Sequence, residues 1–311
     1  MEKTRLTAPL IIAIMVSCSI TGHDTHDDMQ SPPELTRVSY ISEATGAGRD
    51  FFVYLPAGYR SEPQRKWPVL MYLHGNGERG NAKDELDYVM VHGPLSEAWA
   101  QKRDLPFIIV VPQLPMYGMN EHADYIRNRT RDIIPRRLDE GVPPRRAISE
   151  QTIPMAAAPA PETLPHPPEG PVFGWFMLEN DLTAILDQVL AGYAADENRV
   201  YLTGISYGGY GTWFMAAKHP ERFAAIAPVV GYGHPDQMEP IARYQLPVWA
   251  FAGGRDAGVP ASHFYPALNA LESYGHNHVL FTIHADMGHD AWKRIYAGND
   301  IYDWMLKQKR E

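Results

Sequence analysis

Short runs of apolar, β-branched and aromatic residues alternate with helical patterns along this chain, and no other feature constrains its fold as strongly. Seven such runs predict strands, at Phe51–Leu55, Val69–Leu73, Phe107–Val111, Val200–Thr203, Ala224–Val229, Val248–Ala252 and Leu280–Ile283. Most positions in these runs are apolar rather than every second one. We therefore expect strands of a parallel sheet that is buried on both faces.

Helical patterns lie between these strands. The clearest is Leu178–Tyr193, where apolar residues recur every three or four positions and form one face. Further helices are predicted at Leu86–Gln101, Gly209–Lys218, Ser262–Tyr274 and Asp290–Lys307. Strand alternating with helix predicts an α/β fold built on a doubly wound, mostly parallel sheet. A chain of 311 residues is long enough to bury a large core of this kind.

One segment, residues 117–174, interrupts the alternation. It has no strand pattern, and it contains ten prolines, a density that forbids a long helix or a central strand. We interpret it as a Pro-rich insertion between a strand and the next helix. Two interpretations stay open, because long loops in compact domains are usually either lids over functional sites or disordered segments.

The N-terminal residues 1–18 have the layout of a secretory signal peptide, with Lys3 and Arg5 ahead of a short apolar run. This run is too short to span a bilayer as a mature helix. Cys18 follows it and resembles the lipidated cysteine of bacterial lipoprotein signals; an ordinary cleaved signal peptide is the alternative. Residues 19–35 are polar and predict a flexible linker. We expect an exported protein, either a periplasmic or cell-envelope lipoprotein or a secreted one.

The net charge, the cysteine content and the spacing of possible metal ligands exclude several kinds of partner and cross-link. The formal net charge is −9, so nucleic acid is not an expected partner, because phosphate binding needs a basic surface. Cys18 is the only cysteine, so no intramolecular disulfide can form and residues 36–311 are expected to fold on a hydrophobic core alone. No metal site is expected. His122 and Asp124 are near each other in sequence, but two ligands are too few to hold a metal ion.

The sequence Gly204-Ile205-Ser206-Tyr207-Gly208 follows the predicted strand Val200–Thr203 and precedes a predicted helix. A serine in this position occupies a strained turn, so its neighbours two positions away must be small, and glycine meets that need. The turn lifts the serine Oγ out of the sheet edge, where the helix N-terminus favours negative charge. This context predicts that Ser206 is a nucleophile.

A serine nucleophile needs a base, and sites of this type place acid and base later in the chain in the order Ser, Asp, His. His289 follows the predicted strand Leu280–Ile283, where a loop can return its imidazole to Ser206. Asp256 is the only carboxylate in the turn after the strand Val248–Ala252. We expect Asp256 to accept the imidazole N–H and to fix the ring in one tautomer. Such a triad requires no cofactor.

A glycine-rich segment, His74-Gly75-Asn76-Gly77-Glu78-Arg79-Gly80, follows the strand Val69–Leu73. Its glycines let the backbone approach a substrate and turn N–H groups toward it. Acyl transfer needs two such donors for the oxyanion. We assign one to Tyr207, the residue after the serine, and the other to Asn76, with Gly75 and Gly77 as alternatives.

These motifs, together with Val111-Pro112-Gln113 and Gly288-His289-Asp290-Ala291-Trp292, resemble one branch of the α/β-hydrolases. It contains secreted esterases related to polyhydroxybutyrate depolymerases and feruloyl esterases, and proteins described as predicted peptidases. The resemblance covers about residues 39–306 apart from the insertion. It implies an α/β-hydrolase catalytic domain over residues 36–311, with an oxyanion loop, a nucleophile elbow and a base loop at the matched positions.

The sequence departs from this branch at two points. Tyr207 follows the serine, as in peptidases of the prolyl-oligopeptidase type, whereas many esterases have Met or Leu at this position. The second departure is the long insertion, and because lids shape the pocket, the resemblance does not identify the substrate. We assign Trp175, from the aromatic cluster that ends the insertion, and Gln113 to the substrate pocket. Dienelactone hydrolases share the fold but use a cysteine nucleophile, which is excluded here because Cys18 lies in the signal segment.

The expected function is hydrolysis of small or polymeric carboxylic esters through an acyl-enzyme. A serine peptidase is the first alternative, although its prolyl-oligopeptidase relatives carry a large propeller domain for which 311 residues leave no room. The second alternative is a catalytically inactive binding protein on the same scaffold. Such proteins typically lack the serine or the histidine, whereas this sequence has all three triad residues.

Overall fold

The computed structural model describes residues 30–143, the backbone of residues 152–153, and residues 160–311. Within these ranges the strands are β1 (Glu34–Ile41), β2 (Gly48–Leu55), β3 (Trp67–Leu73), β4 (Ile108–Val111), β5 (Thr152–Ile153), β6 (Ala195–Ile205), β7 (Ala225–Val229), β8 (Val248–Gly253) and β9 (Val279–His284). They form one sheet in the order β1-β2-β4-β3-β6-β7-β8-β9-β5. All seven predicted strands are present.

The six strands at the centre of the sheet, β4-β3-β6-β7-β8-β9, are parallel to one another. Antiparallel strands flank them, with β1 and β2 on one side and β5 on the other. Every residue of β3 and β4 is buried, which explains why these strands are apolar without alternation. The predicted doubly wound, mostly parallel sheet is confirmed.

The helices are α1 (Met119–His122), α2 (Asp124–Arg127), α3 (Glu179–Gly192), α4 (Tyr207–Lys218), α5 (Met238–Arg243), α6 (Tyr265–Ser273), α7 (Trp292–Ala297) and α8 (Asp300–Leu306). They cover both faces of the sheet and create two hydrophobic clusters. Side chains of β3 alternate between the clusters, with Met71 in one and Leu70 in the other. The first cluster contains residues of α3 to α6, and the second contains residues of α7 and α8.

Two predicted helices are wrong in extent. Leu86–Gln101 is not one helix but a 3-10 turn at Leu86–Met90 and a π turn at Ser96–Ala100. The break falls at Gly93, whose φ is +85° and where a Cβ would lie 2.2 Å from the ring of Tyr72. Asp290–Lys307 is likewise divided into α7 and α8, with Gly298 ending the first.

The insertion contains more regular structure than its sequence predicted. Its described part includes the one-turn helices α1 and α2. The expectation that it holds no strand is wrong, because β5 pairs antiparallel with β9, Thr152 opposite Thr282. The prolines are still consistent with the shortness of these elements.

The N-terminal predictions fall almost entirely outside the described residues. Cys18 and the predicted signal peptide belong to residues 1–29, which the structure does not describe. β1 begins at Glu34, inside the segment predicted as linker. None of the described helices is long and apolar enough to cross a membrane.

Candidate active site

Ser206 occupies the single residue between β6 and α4, at the carboxyl end of a central parallel strand. Its φ is 52° and its ψ is −116°, a backbone conformation that non-glycine residues seldom adopt. The flanking glycines are required sterically. A Cβ on Gly208 would lie 1.8 Å from the carbonyl oxygen of Leu73, and one on Gly204 would lie 2.4 Å from that of Gly208.

His289 lies in a 3-10 turn that follows β9. Its Nε2 is 3.0 Å from the Oγ of Ser206, and its Nδ1 is 2.6 Å from the Oδ2 of Asp256. The two bonds use opposite sides of one imidazole. They fit a neutral ring whose Nδ1–H donates to Asp256 while Nε2 accepts from the serine hydroxyl.

Asp256 lies in the turn after β8, and its side chain is completely buried. Burial alone would raise the pKa of this carboxyl. The hydrogen bond from His289 and the N–H groups of Val259 and Gly258, each 2.9 Å from Oδ1, outweigh burial and lower the pKa below its usual value. Asp256 is therefore an anion that accepts three hydrogen bonds.

The loops that carry Asp256 and His289 are fastened to each other through the backbone. The N–H of Arg255 donates to Met287 O, and the N–H of Gly254 donates to His284 O, both at 2.9 Å. Gly253 permits this approach, because a Cβ there would lie 2.1 Å from the carbonyl oxygen of Gly288. The separation between the carboxylate and the imidazole is thus set by main chain.

Asn76 and Tyr207, the two predicted oxyanion donors, each begin a helical turn. The first N–H groups of a helix have no intrahelical acceptor, so both are available to a ligand. The loop that carries Asn76 adjoins the serine turn, since a Cβ on Gly75 would lie 3.4 Å from the side chain of Ile205. The structure therefore brings both residues to the neighbourhood of Ser206.

His74 anchors the start of this loop. It is fully buried, its Nε2 accepts from Leu114 N–H at 2.9 Å, and its Nδ1 is 2.6 Å from the carbonyl oxygen of Gly75. Burial lowers the pKa of His74 to about 3, so the ring is neutral at ordinary pH. A neutral His74 joins the end of β3 to the chain that follows β4.

Gln113 and Trp175 do not line a pocket, so that prediction is wrong for both. Gln113 has no exposed surface, and its amide bonds Glu78 O, Glu85 O and Ala82 N at 2.7–2.8 Å. Trp175 is 1% exposed, and its indole N–H donates to His74 O at 3.1 Å. Both side chains satisfy backbone groups of the glycine-rich loop, which leaves no surface for a ligand.

The other carboxylates near His289 have different partners. Asp286 forms a two-bond ion pair with Arg294 at 2.7 Å, and Asp290 pairs with Lys293 at 3.1 Å. His219, a further histidine of the chain, bonds Glu179 at 3.0 Å. Asp256 is thus the carboxylate that the fold presents to the Nδ1 atom of His289.

Two residues of the insertion bind the glycine-rich loop through their side chains, and the sequence patterns predict neither contact. The hydroxyl of Tyr125 accepts from Asn76 Nδ2 at 2.6 Å. Arg129 donates to the carbonyl oxygens of Gly77 and Arg79 at 2.8 and 2.6 Å and pairs with Glu85 at 2.7 Å. These partners are about 50 residues apart in sequence, and no local pattern signals them.

Comparison with known sequences yields two partial matches. The profile of the prolyl oligopeptidase family matches residues 179–239, a segment that includes Ser206. Over 47 residues the chain is 43% identical to poly(3-hydroxyalkanoate) depolymerase C of Paucimonas lemoignei. That alignment covers 15% of this chain and 11% of the depolymerase, so it relates a short segment of each protein.

Comparison with solved structures extends over nearly the whole chain. A thermostable esterase has a TM-score of 0.62 at 24% identity; the match covers 89% of this chain and 63% of the esterase. A ferulic acid esterase has a TM-score of 0.51 at 17% identity, covering 88% and 96%. An S-formylglutathione hydrolase of Staphylococcus aureus has a TM-score of 0.53 at 13% identity, covering 89% and 98%. At these identities the likeness shows a common fold.

Proposed function

We propose that this chain, which has the α/β-hydrolase fold, is a serine hydrolase that cleaves carboxylic esters through an acyl-enzyme. One observation carries the proposal: the continuous hydrogen-bonded series from Ser206 Oγ through His289 to the buried carboxylate of Asp256. A strained turn holds the serine, and backbone contacts hold the other two groups. This combination is the geometry by which a weak hydroxyl nucleophile is activated.

In the first step the hydroxyl of Ser206 attacks the ester carbonyl carbon, and its proton passes to His289 Nε2. Asp256 stabilises the imidazolium that forms and keeps the ring in the productive tautomer. The carbonyl oxygen becomes an oxyanion, which the N–H groups of Tyr207 and Asn76 would bind. The N-terminus of α4 adds a favourable partial charge.

The tetrahedral intermediate then collapses. The bond between the carbonyl carbon and the alcohol oxygen breaks, and His289 returns its proton to the departing alkoxide, so a neutral alcohol leaves. The acyl group stays on Ser206 as an ester. Water attacks this second ester, with His289 as base again, and the carboxylic acid is released with the serine restored.

Ester substrates are supported by the comparisons as well as by the site. The matched relatives include a poly(3-hydroxyalkanoate) depolymerase, a ferulic acid esterase and a further esterase. We propose a small-molecule or polymeric ester as substrate. The prolyl oligopeptidase match over residues 179–239 favours a second candidate, a serine peptidase, which the same triad would serve.

Two measurements test the proposal. A fluorophosphonate probe should label Ser206 in the wild-type protein, because only an activated serine reacts, and Ser206→Ala should abolish the labelling. An ester and an amide of the same acyl group, each releasing a chromophore, then separate the two candidates. We expect faster ester hydrolysis; absence of labelling would eliminate the serine hydrolase, and faster amide cleavage would replace the esterase with the peptidase.

A further inference from the structure

Arg79, in the glycine-rich loop, is a buried cation, and none of its contacts in the described part of the chain is an ion pair with a carboxylate. Its side chain has no exposed surface. Burying a charge without a counter-ion is costly unless its hydrogen bonds are satisfied. The hydrogen-bond partners of this guanidinium therefore indicate its role.

Its donors reach three separate segments. Nε donates to Asn76 Oδ1 at 2.5 Å, within the glycine-rich loop. Nη1 donates to the carbonyl oxygen of Pro115, after β4, and Nη2 donates to that of Phe173, at the end of the insertion, both at 2.8 Å. One guanidinium thus fastens the loop to both chain segments that border the insertion.

The guanidinium also contacts the residue that follows the nucleophile. The Cζ of Arg79 lies 4.9 Å from the centroid of the Tyr207 ring, within the range of cation–π attraction. Arg79 therefore touches the side chains of Asn76 and Tyr207. These are the two residues whose backbone N–H groups would bind the oxyanion.

The side chain of Asn76 is fixed at both ends. Its Oδ1 accepts from Arg79, and its Nδ2 donates to the hydroxyl of Tyr125 at 2.6 Å. Protein groups therefore bind both ends of the amide and leave at most one Nδ2–H for any other partner. What it provides is orientation, because holding the side chain holds the backbone of Asn76 and the direction of its N–H.

The charge persists at neutral pH. Burial lowers the pKa of Arg79 to about 10, and the neighbouring Tyr207 and Tyr125 act in the opposite direction. A lysine would retain the charge but not the geometry, since its single ammonium lacks the planar fork that reaches three acceptors. Shape as well as charge is needed at this position.

We propose that Arg79 is a positioning residue that sets the two halves of the oxyanion hole, Asn76 and Tyr207, at a fixed separation and links them to the base of the insertion. This inference rests on the proposed function. It predicts that changing Arg79 weakens binding of the oxyanion and leaves binding of the ground-state substrate nearly intact.

The test compares Arg79→Lys with a matched control, Arg103→Lys. Arg103 is also buried, and it also donates to backbone carbonyls, those of Tyr296 and Gly298, but it contacts neither Asn76 nor Tyr207. Small displacements of catalytic groups cost on the order of 10²-fold in rate. We expect Arg79→Lys to lower kcat by about 10²-fold with KM within about threefold, and Arg103→Lys to keep kcat within about threefold.

A second readout isolates the oxyanion. A trifluoromethyl ketone forms a covalent adduct with the serine and places an oxyanion in the hole, whereas the alcohol product of the ester carries no negative charge. The Arg79→Lys variant should bind the ketone more weakly by about the factor lost in kcat, with affinity for the alcohol unchanged. Equal loss for ketone and alcohol, or full retention of kcat, would overturn the inference.

If Arg79→Lys does not fold, Asn76→Ala provides the test, because it removes the side chain that Arg79 holds and keeps the backbone N–H. We expect kcat to fall by about tenfold or more, with KM again little changed. An unchanged kcat would show that the Arg79 contact positions nothing. Failure of the proposed function is separate: wild-type protein that neither reacts with a fluorophosphonate nor hydrolyses any ester would refute the hydrolase itself.

Discussion

At the scale of single residues, Ser206 is defined by a turn that only a few side chains tolerate. Alanine has the same Cβ, so Ser206→Ala should keep the turn and the fold while removing the nucleophilic oxygen. Loss of such a nucleophile costs on the order of 10⁶-fold in kcat. Turnover measured beside the exposed control Ser262→Ala checks this, with circular dichroism to confirm folding. Retention of more than a few per cent of activity would remove Ser206 from the mechanism.

Asp256 can be separated from the neighbouring carboxylates by amide substitution. Asp256→Asn would present an NH₂ group to His289 Nδ1 and favour the wrong imidazole tautomer, so kcat should fall by about 10⁴-fold. Asp286→Asn is the matched control, because Asp286 is in the base loop but pairs with Arg294. We expect that control to lose less than about threefold. A larger loss of kcat in Asp286→Asn than in Asp256→Asn would make Asp286 the residue that orients His289.

Glu78 makes stability depend on pH near neutrality. Burial raises the pKa of this carboxyl to about 7, and it outweighs backbone hydrogen bonds and the charge of Arg129, which lower the pKa. His74 and His92, each 3.8 Å away, add no positive charge near neutrality, because burial lowers their own pKa values. A raised pKa means that the folded state holds the proton more tightly than the unfolded state does. This contribution to stability is complete below about pH 4.5 and is lost as pH rises through about 7.

Urea unfolding at about pH 5 and about pH 8 measures this effect. The wild-type protein should lose roughly 2–3 kcal/mol of unfolding free energy between them through Glu78. Glu78→Gln mimics the protonated carboxyl, so its stability should fall much less over the same interval. Parallel losses in the two proteins would show that Glu78 is ionised throughout.

Among the secondary-structure elements, the sequence predicts best the strands that are buried on both faces. β3 and β4 are apolar at every position because helices cover both sides, and the pattern identified them without ambiguity. β1 was missed because it is an edge strand with half-exposed and exposed residues. The helix predicted at Leu86–Gln101 failed because Gly93 and Pro94 interrupt it. Tyr72 also packs against Gly93, a contact between distant residues that no periodicity reveals.

The site shows the same division between local and long-range information. Ser206, Asp256 and His289 each lie in the turn or loop that follows a strand, so local pattern and chain order suffice to predict that their side chains meet. Gln113 and Trp175 were placed in a pocket because their chemistry suits one. Whether a side chain faces a ligand or satisfies buried backbone groups depends on tertiary packing, which the sequence alone does not specify.

The insertion is the element whose role is most open to test. Tyr125 and Arg129 attach it to the glycine-rich loop, and Arg79 holds its end through Phe173. We propose that it forms a lid or pocket wall. Replacing residues 119–169 with a Gly-Ser linker leaves Phe173 in place and should change the preference between bulky and small esters by about tenfold, or about 1.4 kcal/mol.

The kcat/KM ratio across a panel of esters measures this change, and Tyr125→Ala provides a milder variant that keeps the rest of the insertion. We expect Tyr125→Ala to alter the ratio in the same direction and to a smaller extent. Identical ratios in a folded linker variant and the wild type would show that the insertion does not affect substrate preference.

At the scale of the whole molecule, the parallel sheet explains why three distant residues meet. β6, β8 and β9 all run in one direction, so their carboxyl ends lie at one edge, and Ser206, Asp256 and His289 each follow one of these ends. Ligand sites in open α/β sheets occupy this edge. The predicted α/β-hydrolase fold, which the structure and the comparisons confirm, is thus also the arrangement that assembles the site.

The N-terminal sequence motivates a prediction about location, and Cys18 makes that prediction specific. A signal-like segment ends at the only cysteine of the chain, and polar residues separate it from β1. We propose that Cys18 is lipidated and anchors the protein. One acyl chain binds membranes only marginally and stable anchoring takes more than one, which a lipoprotein-type modification supplies.

Cys18→Ser should therefore move the protein from the membrane fraction to the soluble fraction of the cells that export it. Ser17→Ala, which keeps the cysteine, should stay with the membranes. Equal distribution of Cys18→Ser and wild type between the fractions would favour an ordinary cleaved signal peptide and a secreted enzyme.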